Sequence, residues 1–162
     1  MIGQETLRQA DALVPLLRDA GLRVVTAESC TSGLLAACLT HPPGSSPVVL
    51  GGFVTYSREM KRRHLGVPAD ILERFGAISA ETAAAMADGA LTAAGADLAL
   101  SITGLAGPDG DEGKPVGLVW FGLAHAGHPT RTVSRHLPGD RDAVRESAVR
   151  EALRLLRQVL PD

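Results

Sequence analysis

Helix-type and strand-type segments alternate along most of this chain, and that alternation restricts its fold more than any other feature. Leu7, Ala10, Leu13, Val14 and Leu17 recur at helical spacing before Gly21. We predict strands at 22–27, 48–55, 98–102, 116–124 and 130–136, and further helices at 34–39, 58–65, 68–75, 80–94 and after Asp140. The order predicts a three-layer α/β/α fold with a mostly parallel, mixed sheet, in which a late hairpin across Gly127 supplies an antiparallel edge.

Length and composition predict one domain, residues 1–162, because 162 residues suit one continuous core. Apolar residues make up 45% of the chain and charged residues 21%. No apolar run approaches the roughly 18 residues of a membrane span, and the first residues lack a basic, apolar secretory signal. We therefore expect a cytoplasmic protein without a membrane partner.

Charge and cysteine usage favour a small-molecule partner. A net charge of −2 and 3% aromatic residues give neither the basic surface nor the stacking platform typical of nucleic-acid binding. Cys30 and Cys38 form neither a disulfide framework nor a zinc-ligand pattern, so we expect two reduced thiols and no metal.

Two loops follow predicted strands where ligands collect in α/β sheets. The first, residues 26–33, carries hydroxyls, a thiol and a carboxylate, and Ser29 or Thr31 could be a nucleophile or only a helix cap. The second, residues 103–108, is rich in glycine and could cradle a phosphate or form a simple tight turn. Neither loop contains a Walker A, GxSxG, HExxH or GxGxxG motif.

Lys61 is the most suggestive candidate for a base, because it follows the strand at 48–55 that should end near the same sheet edge. Burial, or the neighbouring cations Arg58, Arg62 and Arg63, could lower its pKa toward neutrality. A solvated surface lysine is the alternative. A Ser-His-Asp triad stays open, although none of the five histidines lies beside the first loop in sequence.

Five ordered motifs resemble the CinA C-terminal-domain family over roughly residues 24–153. The motifs are residues 26–33 (TAESCTSG) with 44–46 (GSS), 51–57 (GGFVTYS) with Lys61, 76–79 (GAIS), 103–110 (TGLAGPDG) with 114–117 (KPVG), and 139–141 (GDR) with Arg145. Their shared order makes the resemblance far more specific than any single motif.

The resemblance implies an amidohydrolase that converts nicotinamide mononucleotide and water to nicotinate mononucleotide and ammonia, without a metal or cofactor. By motif position, Ser29 is expected to be the nucleophile and Lys61 the base. The expected substrate-binding residues are Thr31, Ser32, Gly33, Tyr56, Thr103, Gly104 and Arg145.

Two positions depart from the family pattern. Ser32 replaces a usual glycine and would cost about 1 kcal/mol if that position needs a positive φ. Leu105 replaces a usual isoleucine, which is a mild change. Many relatives carry an additional N-terminal domain. Because 162 residues leave no room for it, we expect this chain to be the stand-alone form.

Other functions stay open at this stage. A catalytically silent nucleotide-binding or regulatory module on the same fold is the main alternative. A DNA-associated competence factor is a third, which the acidic pI and scarce aromatics disfavour. Apolar residues on both terminal helices make a homodimer plausible.

Overall fold

A computed structural model describes residues 2–161 and places helices and strands in alternation. The helices are α1 (Gln4–Asp19), α2 (Leu34–Leu39), α3 (Arg58–Leu65), α4 (Ala69–Phe75), α5 (Ala80–Ala94) and α6 (Arg141–Arg157). The strands are β1 (Val24–Glu28), β2 (Val49–Val54), β3 (Leu98–Gly104), β4 (Leu118–His125) and β5 (Arg131–His136). Every element predicted from the sequence is present, with strand boundaries displaced by one or two residues.

The five strands form one mixed sheet in the order β2-β1-β3-β4-β5. β1 pairs in parallel with both β2 and β3, whereas β4 runs antiparallel to β3 and β5. All strands except β4 therefore point the same way, as the alternation predicts. The β4–β5 hairpin forms the antiparallel edge.

Helices cover both faces of the sheet and create two apolar clusters. α1, α2 and α6 pack on one face, where Leu17, Leu35 and Leu153 meet Leu100 and Phe121. α3, α4 and α5 pack on the other face through Leu65, Leu72 and Met86. The three-layer α/β/α fold is confirmed. Among the described residues, no helix is long and apolar enough to cross a membrane.

Side chains cap α5 and α6 at their N-termini. Ser79 accepts a hydrogen bond from the Thr82 N–H at the start of α5, and Asp140 accepts one from the Ala143 N–H at the start of α6. Each side chain satisfies an N–H group that the first helical turn leaves without a backbone acceptor. These caps fix where α5 and α6 begin, and both helices begin beside the candidate site.

Candidate active site

A polar cavity of about 300 Å³ lies beyond the carboxyl ends of β1 and β3, where the α/β fold collects loops and helix starts. It is lined by Ser29, Cys30, Tyr56, Arg58, Lys61, Ala77, Ile78, Thr103, Gly104, Leu105, Ala106, Gly107, Asp109, Asp111, Glu112 and Arg141. We call the buried residues Ser29, Lys61 and Thr103 the floor. We call the charged residues Arg58, Asp109, Asp111, Glu112 and Arg141 the mouth.

Ser29 and Lys61 meet on the floor although they are 32 residues apart. Lys61 Nζ lies 3.0 Å from Ser29 Oγ and donates to the carbonyl oxygens of Thr55 at 2.8 Å and Tyr56 at 3.2 Å. Ser29 is 7% exposed and Lys61 is 1% exposed. The two side chains that the sequence singled out are therefore within hydrogen-bond distance of each other.

Burial lowers the pKa of Lys61 from 10.5 to about 8, because the charged ammonium loses its hydration. Glu112 opposes this change, and Arg58 makes a smaller contribution in the same direction as burial. Arg62 and Arg63 instead pair with Glu59 on the exposed side of α3. The alternative of a solvated Lys61 is wrong, since this side chain is buried.

Cys30 lies beside Ser29 but has a different chemical character. Its burial raises the pKa of the thiol to about 11, so the thiol remains protonated near neutral pH. A thiol is a weak nucleophile until it ionises. Cys38 lies in α2, is buried, and donates to the Thr6 carbonyl oxygen.

Glu28, and not Ser29 or Thr31, binds the start of α2. Its carboxylate accepts hydrogen bonds from the N–H groups of Gly33, Leu35 and Ala36 at 2.9 to 3.1 Å. The alternative that Ser29 or Thr31 only caps this helix is wrong, because the buried carboxylate at the end of β1 already satisfies these donors. The sequence signal was an acid between a strand and a run of hydroxyls.

Three of the expected substrate-binding residues do not line the cavity. Thr31 is fully buried and donates to Glu28 at 2.7 Å. Ser32 has a φ of 48° and donates to the Ser29 carbonyl oxygen at 3.1 Å. Gly33 has a φ of 92°. The structure therefore brings these three residues to the turn that supports Ser29 and not to the cavity.

Arg145 also lies outside the cavity. Its guanidinium donates to the carbonyl oxygens of Cys30 at 3.1 Å and Thr31 at 3.5 Å. It borders a small separate depression near Leu34. Arg145 therefore lies outside the cavity and stabilises the turn that carries Ser29.

The remaining expected residues do line the cavity. Thr103 is buried and donates to the Ala77 carbonyl oxygen at 2.7 Å, which leaves its oxygen at the floor. Gly104 cannot be enlarged, because a Cβ there would lie 2.7 Å from the Leu118 carbonyl oxygen. Tyr56 is 61% exposed and stands at the edge.

The mouth contains residues that the sequence did not assign to binding. Arg58 pairs with Glu112, whose carboxylate also accepts from the Ala77 N–H at 3.0 Å. Arg141, the first residue of α6, donates to the Gly107 carbonyl oxygen. The motif at 139–141 was the available signal for Arg141, and Arg58 had entered the sequence argument only as a neighbour of Lys61.

Lys114 fastens the loop at 109–114 to the rest of the cavity wall. Its ammonium donates to the carbonyl oxygens of Phe75 at 3.2 Å and of Ile78, and lies 3.5 Å from Glu112. Within residues 2–161, no group of three or more His, Cys, Asp or Glu side chains is arranged to hold a metal ion.

A larger groove of about 500 Å³ lies between α1 and α6 on another side of the molecule. Leu13, Leu16 and Leu153 line it together with arginines of α6. Among the described residues that line it, the one serine is Ser147, whose hydroxyl accepts from the exposed Arg150 and not from a buried amine. The smaller cavity is therefore the candidate active site.

Comparison with known proteins agrees with this architecture. A family model of the CinA C-terminal domain matches residues 6–160. A CinA-like protein of Myxococcus xanthus is 46% identical over 161 residues, which cover 99% of this chain and 38% of that protein. The chain spans 35% to 38% of the length of curated relatives such as this one.

Solved structures show the same fold over nearly their whole length. The competence/damage inducible protein CihA from Agrobacterium tumefaciens superimposes with a TM-score of 0.93 at 40% identity, covering 98% of each chain. A competence-damaged protein (CinA) superfamily protein from Klebsiella pneumoniae superimposes with a TM-score of 0.92 at 39% identity, covering 96% of this chain and 97% of that one. The chain belongs to the CinA C-terminal domain family.

Proposed function

We propose that this domain hydrolyses the carboxamide of nicotinamide mononucleotide, giving nicotinate mononucleotide and ammonia. The observation that carries the proposal is the buried Lys61 amine 3.0 Å from Ser29 Oγ, with its pKa lowered to about 8. An amine in this state can accept a proton near neutral pH, as a general base must. The family resemblance supplies the choice of substrate.

The reaction divides into two steps. Ser29 Oγ attacks the carboxamide carbon as Lys61 Nζ takes the hydroxyl proton, and the resulting tetrahedral intermediate carries an oxyanion. Lys61 returns the proton to the nitrogen, the C–N bond breaks, and ammonia departs, which leaves Ser29 esterified to the nicotinoyl group of the mononucleotide. Water then attacks the ester with Lys61 again as base, and the proton passes to Ser29 Oγ, which releases nicotinate mononucleotide and restores Ser29.

The oxyanion needs hydrogen-bond donors near Ser29. The N–H groups of Gly33, Leu35 and Ala36 at the start of α2 already donate to Glu28, so they are occupied. The N–H of Cys30 comes directly after the nucleophile and makes no hydrogen bond to another residue within residues 2–161. We assign the oxyanion to the Cys30 N–H.

The substrate phosphate needs a cation, and the mouth offers Arg58 and Arg141. Arg58 already pairs with Glu112, whereas Arg141, among residues 2–161, donates only to the neutral Gly107 carbonyl oxygen. A guanidinium that gives up a carbonyl acceptor for a phosphate gains a charge-assisted hydrogen bond. We therefore assign the phosphate to Arg141 in place of Arg145.

Ammonia release from nicotinamide mononucleotide by the purified protein tests the proposal, with free nicotinamide as the control substrate. The turnover rate should rise with pH through an apparent pKa of about 8, because only neutral Lys61 accepts the proton. A rapid-quench mass spectrum should show an adduct on Ser29 with the mass of the nicotinoyl mononucleotide group. Binding of the nucleotide without ammonia release would instead support a catalytically silent nucleotide-binding module.

A further inference from the structure

We infer that Glu28 is a positioning residue, whose buried carboxylate fixes the turn that carries Ser29 and so keeps Ser29 Oγ within reach of Lys61. The inference rests on the proposed function for the role of Ser29 as nucleophile. It concerns the reactivity of Ser29 and not the choice of substrate.

Glu28 is the last residue of β1 and is fully buried. Its two carboxylate oxygens accept five hydrogen bonds, from Thr26 Oγ1 (3.0 Å), Thr31 Oγ1 (2.7 Å), Gly33 N (3.0 Å), Leu35 N (3.1 Å) and Ala36 N (2.9 Å). All five donors are neutral groups. A buried carboxylate with this many N–H and O–H donors is stabilised by them without a counter-ion.

The donors lie on both sides of Ser29 in the chain, so the turn has to fold over the carboxylate. Ser32 and Gly33 both have positive φ, and this path returns the Gly33 N–H to Glu28. A non-glycine residue in that region costs about 1 kcal/mol. The hydrogen bonds to Glu28 oppose this strain and hold the turn closed.

The neighbouring strand leaves room for this arrangement. A Cβ on Gly52 of β2 would collide with Thr26 Oγ1, which donates to Glu28, and would lie 3.2 Å from Ala36 Cβ. Gly52 therefore leaves the space that the Glu28 network occupies.

Glu28→Gln preserves the size of the side chain but replaces one acceptor oxygen with an NH₂ donor. That NH₂ faces backbone N–H groups, which cannot rotate away, so the turn loses hydrogen bonds and relaxes. Ser29 Oγ then spends less time in reach of Lys61. The Lys61 contacts with the Thr55 and Tyr56 carbonyl oxygens are unaffected, so its pKa should not change.

The test is covalent labelling of Ser29 by a fluorophosphonate in the full chain, followed by intact-mass spectrometry as a function of pH. In wild type the labelling rate should rise through an apparent pKa of about 8. In Glu28→Gln the plateau rate should fall at least about tenfold, since small misplacements of reacting groups have effects of that order or larger, with no shift in the pKa. A plateau rate within about threefold of wild type would overturn the inference.

Glu146→Gln is the matched control. Glu146 also binds a helix start through its carboxylate, accepting from Gly3 N and Thr6 Oγ1 at 2.9 Å each at the beginning of α1. This variant should lose stability and still label at the wild-type rate. Slowing equal to that of Glu28→Gln would show that general destabilisation is responsible, and would overturn the inference.

Thr31→Val provides a second variant if Glu28→Gln does not fold. It removes one donor and keeps the carboxylate, so labelling should slow about threefold at an unchanged pKa. A labelling rate equal to that of wild type in Thr31→Val would also overturn the inference about Glu28. Wild type that labels at Ser29 but releases no ammonia from nicotinamide mononucleotide would reject the proposed substrate and leave the Glu28 inference intact.

Discussion

The floor and the mouth of the cavity differ in whether their charged side chains are buried and in whether they are paired with an opposite charge. On the floor, all three acceptors of Lys61 Nζ are neutral oxygens, and burial without a carboxylate partner lowers its pKa to about 8. At the mouth, Arg58 pairs with Glu112, and most side chains reach solvent. An uncompensated buried amine is costly for the fold and useful as a base, whereas solvated paired charges suit reversible binding.

The largest difference in kcat should be the one between Lys61→Met and Lys114→Met. Lys61→Met removes the only amine beside Ser29 Oγ and should lower kcat for nicotinamide mononucleotide by about a thousandfold or more. Lys114 contacts the Phe75 and Ile78 carbonyl oxygens and Glu112, and makes no hydrogen bond to Ser29 within residues 2–161, so Lys114→Met should lose less than about tenfold in kcat. Steady-state ammonia release measures both.

Ser29→Ala serves as the control for this comparison. Because Ser29 and Lys61 act as a unit, Ser29→Ala and the double variant should lose about as much as Lys61→Met alone. Lys61→Met that retains a tenth of wild-type turnover would remove lysine from the floor chemistry.

A comparison of Arg141→Ala with Arg145→Ala should distinguish binding of the substrate phosphate from positioning of Ser29. Arg141→Ala should raise KM by roughly 10- to 100-fold, since a hydrogen bond to a charged group contributes about 1.5 to 3 kcal/mol. Arg145→Ala should lower kcat and leave KM nearly unchanged, because Arg145 holds the Cys30 and Thr31 carbonyl oxygens.

Nicotinamide riboside, which lacks the phosphate, is the control substrate for both arginine variants. Arg141→Ala should be little worse than wild type on the riboside, while Arg145→Ala should lose the same factor on both substrates. A larger KM effect from Arg145→Ala than from Arg141→Ala would return the phosphate to Arg145.

The sequence predicted the fold well because apolar periodicity is a local property. The helices at 34–39, 58–65 and 80–94 have the predicted bounds. The strands extend beyond the apolar runs, since β1 includes Glu28 and β3 includes Thr103 and Gly104, whose polar or small side chains hide a strand end from a hydropathy pattern.

The site was only partly predictable because it depends on contacts between distant segments. Ser29 and Lys61 were both singled out, and the structure brings them together. Arg141 and Arg145 lie four residues apart, so they share one face of α6, and the sequence cannot say which of them reaches the cavity. Arg145 meets a carbonyl oxygen 115 residues away, a contact that no local pattern encodes.

Lys61→Met should also increase the stability of the fold at neutral pH. The pKa of Lys61 is about 8 in the folded state and 10.5 when unfolded, so the unfolded chain binds the extra proton between these values. The free energy of unfolding of wild type should therefore rise relative to Lys61→Met as pH increases from 8 to 10.5. Lys61→Met should be more stable by about 2 kcal/mol at pH 7, after allowing for the lost hydrogen bonds.

Urea unfolding at pH 7 and pH 10 measures this effect, with Lys114→Met as the comparison. The stability advantage of Lys61→Met should shrink toward zero at the higher pH. Lys114→Met should lose less than about 1 kcal/mol at both, because its ammonium is partly solvated. A pH-independent advantage of Lys61→Met would mean that the buried amine carries no charge-related cost.

Ser32→Gly should change the free energy of unfolding least, because two opposing contributions nearly cancel. The φ of 48° at Ser32 costs about 1 kcal/mol for a residue with a Cβ, yet the Ser32 hydroxyl donates to the Ser29 carbonyl oxygen. Ser32→Gly removes both, so its free energy of unfolding should lie within about 1 kcal/mol of wild type. Ser32→Ala removes the hydrogen bond and keeps the strain, so it should be less stable than Ser32→Gly by about 1 kcal/mol. Chemical denaturation of the two variants distinguishes these contributions, and an alanine variant as stable as the glycine variant would show that the turn beneath Ser29 is not strained.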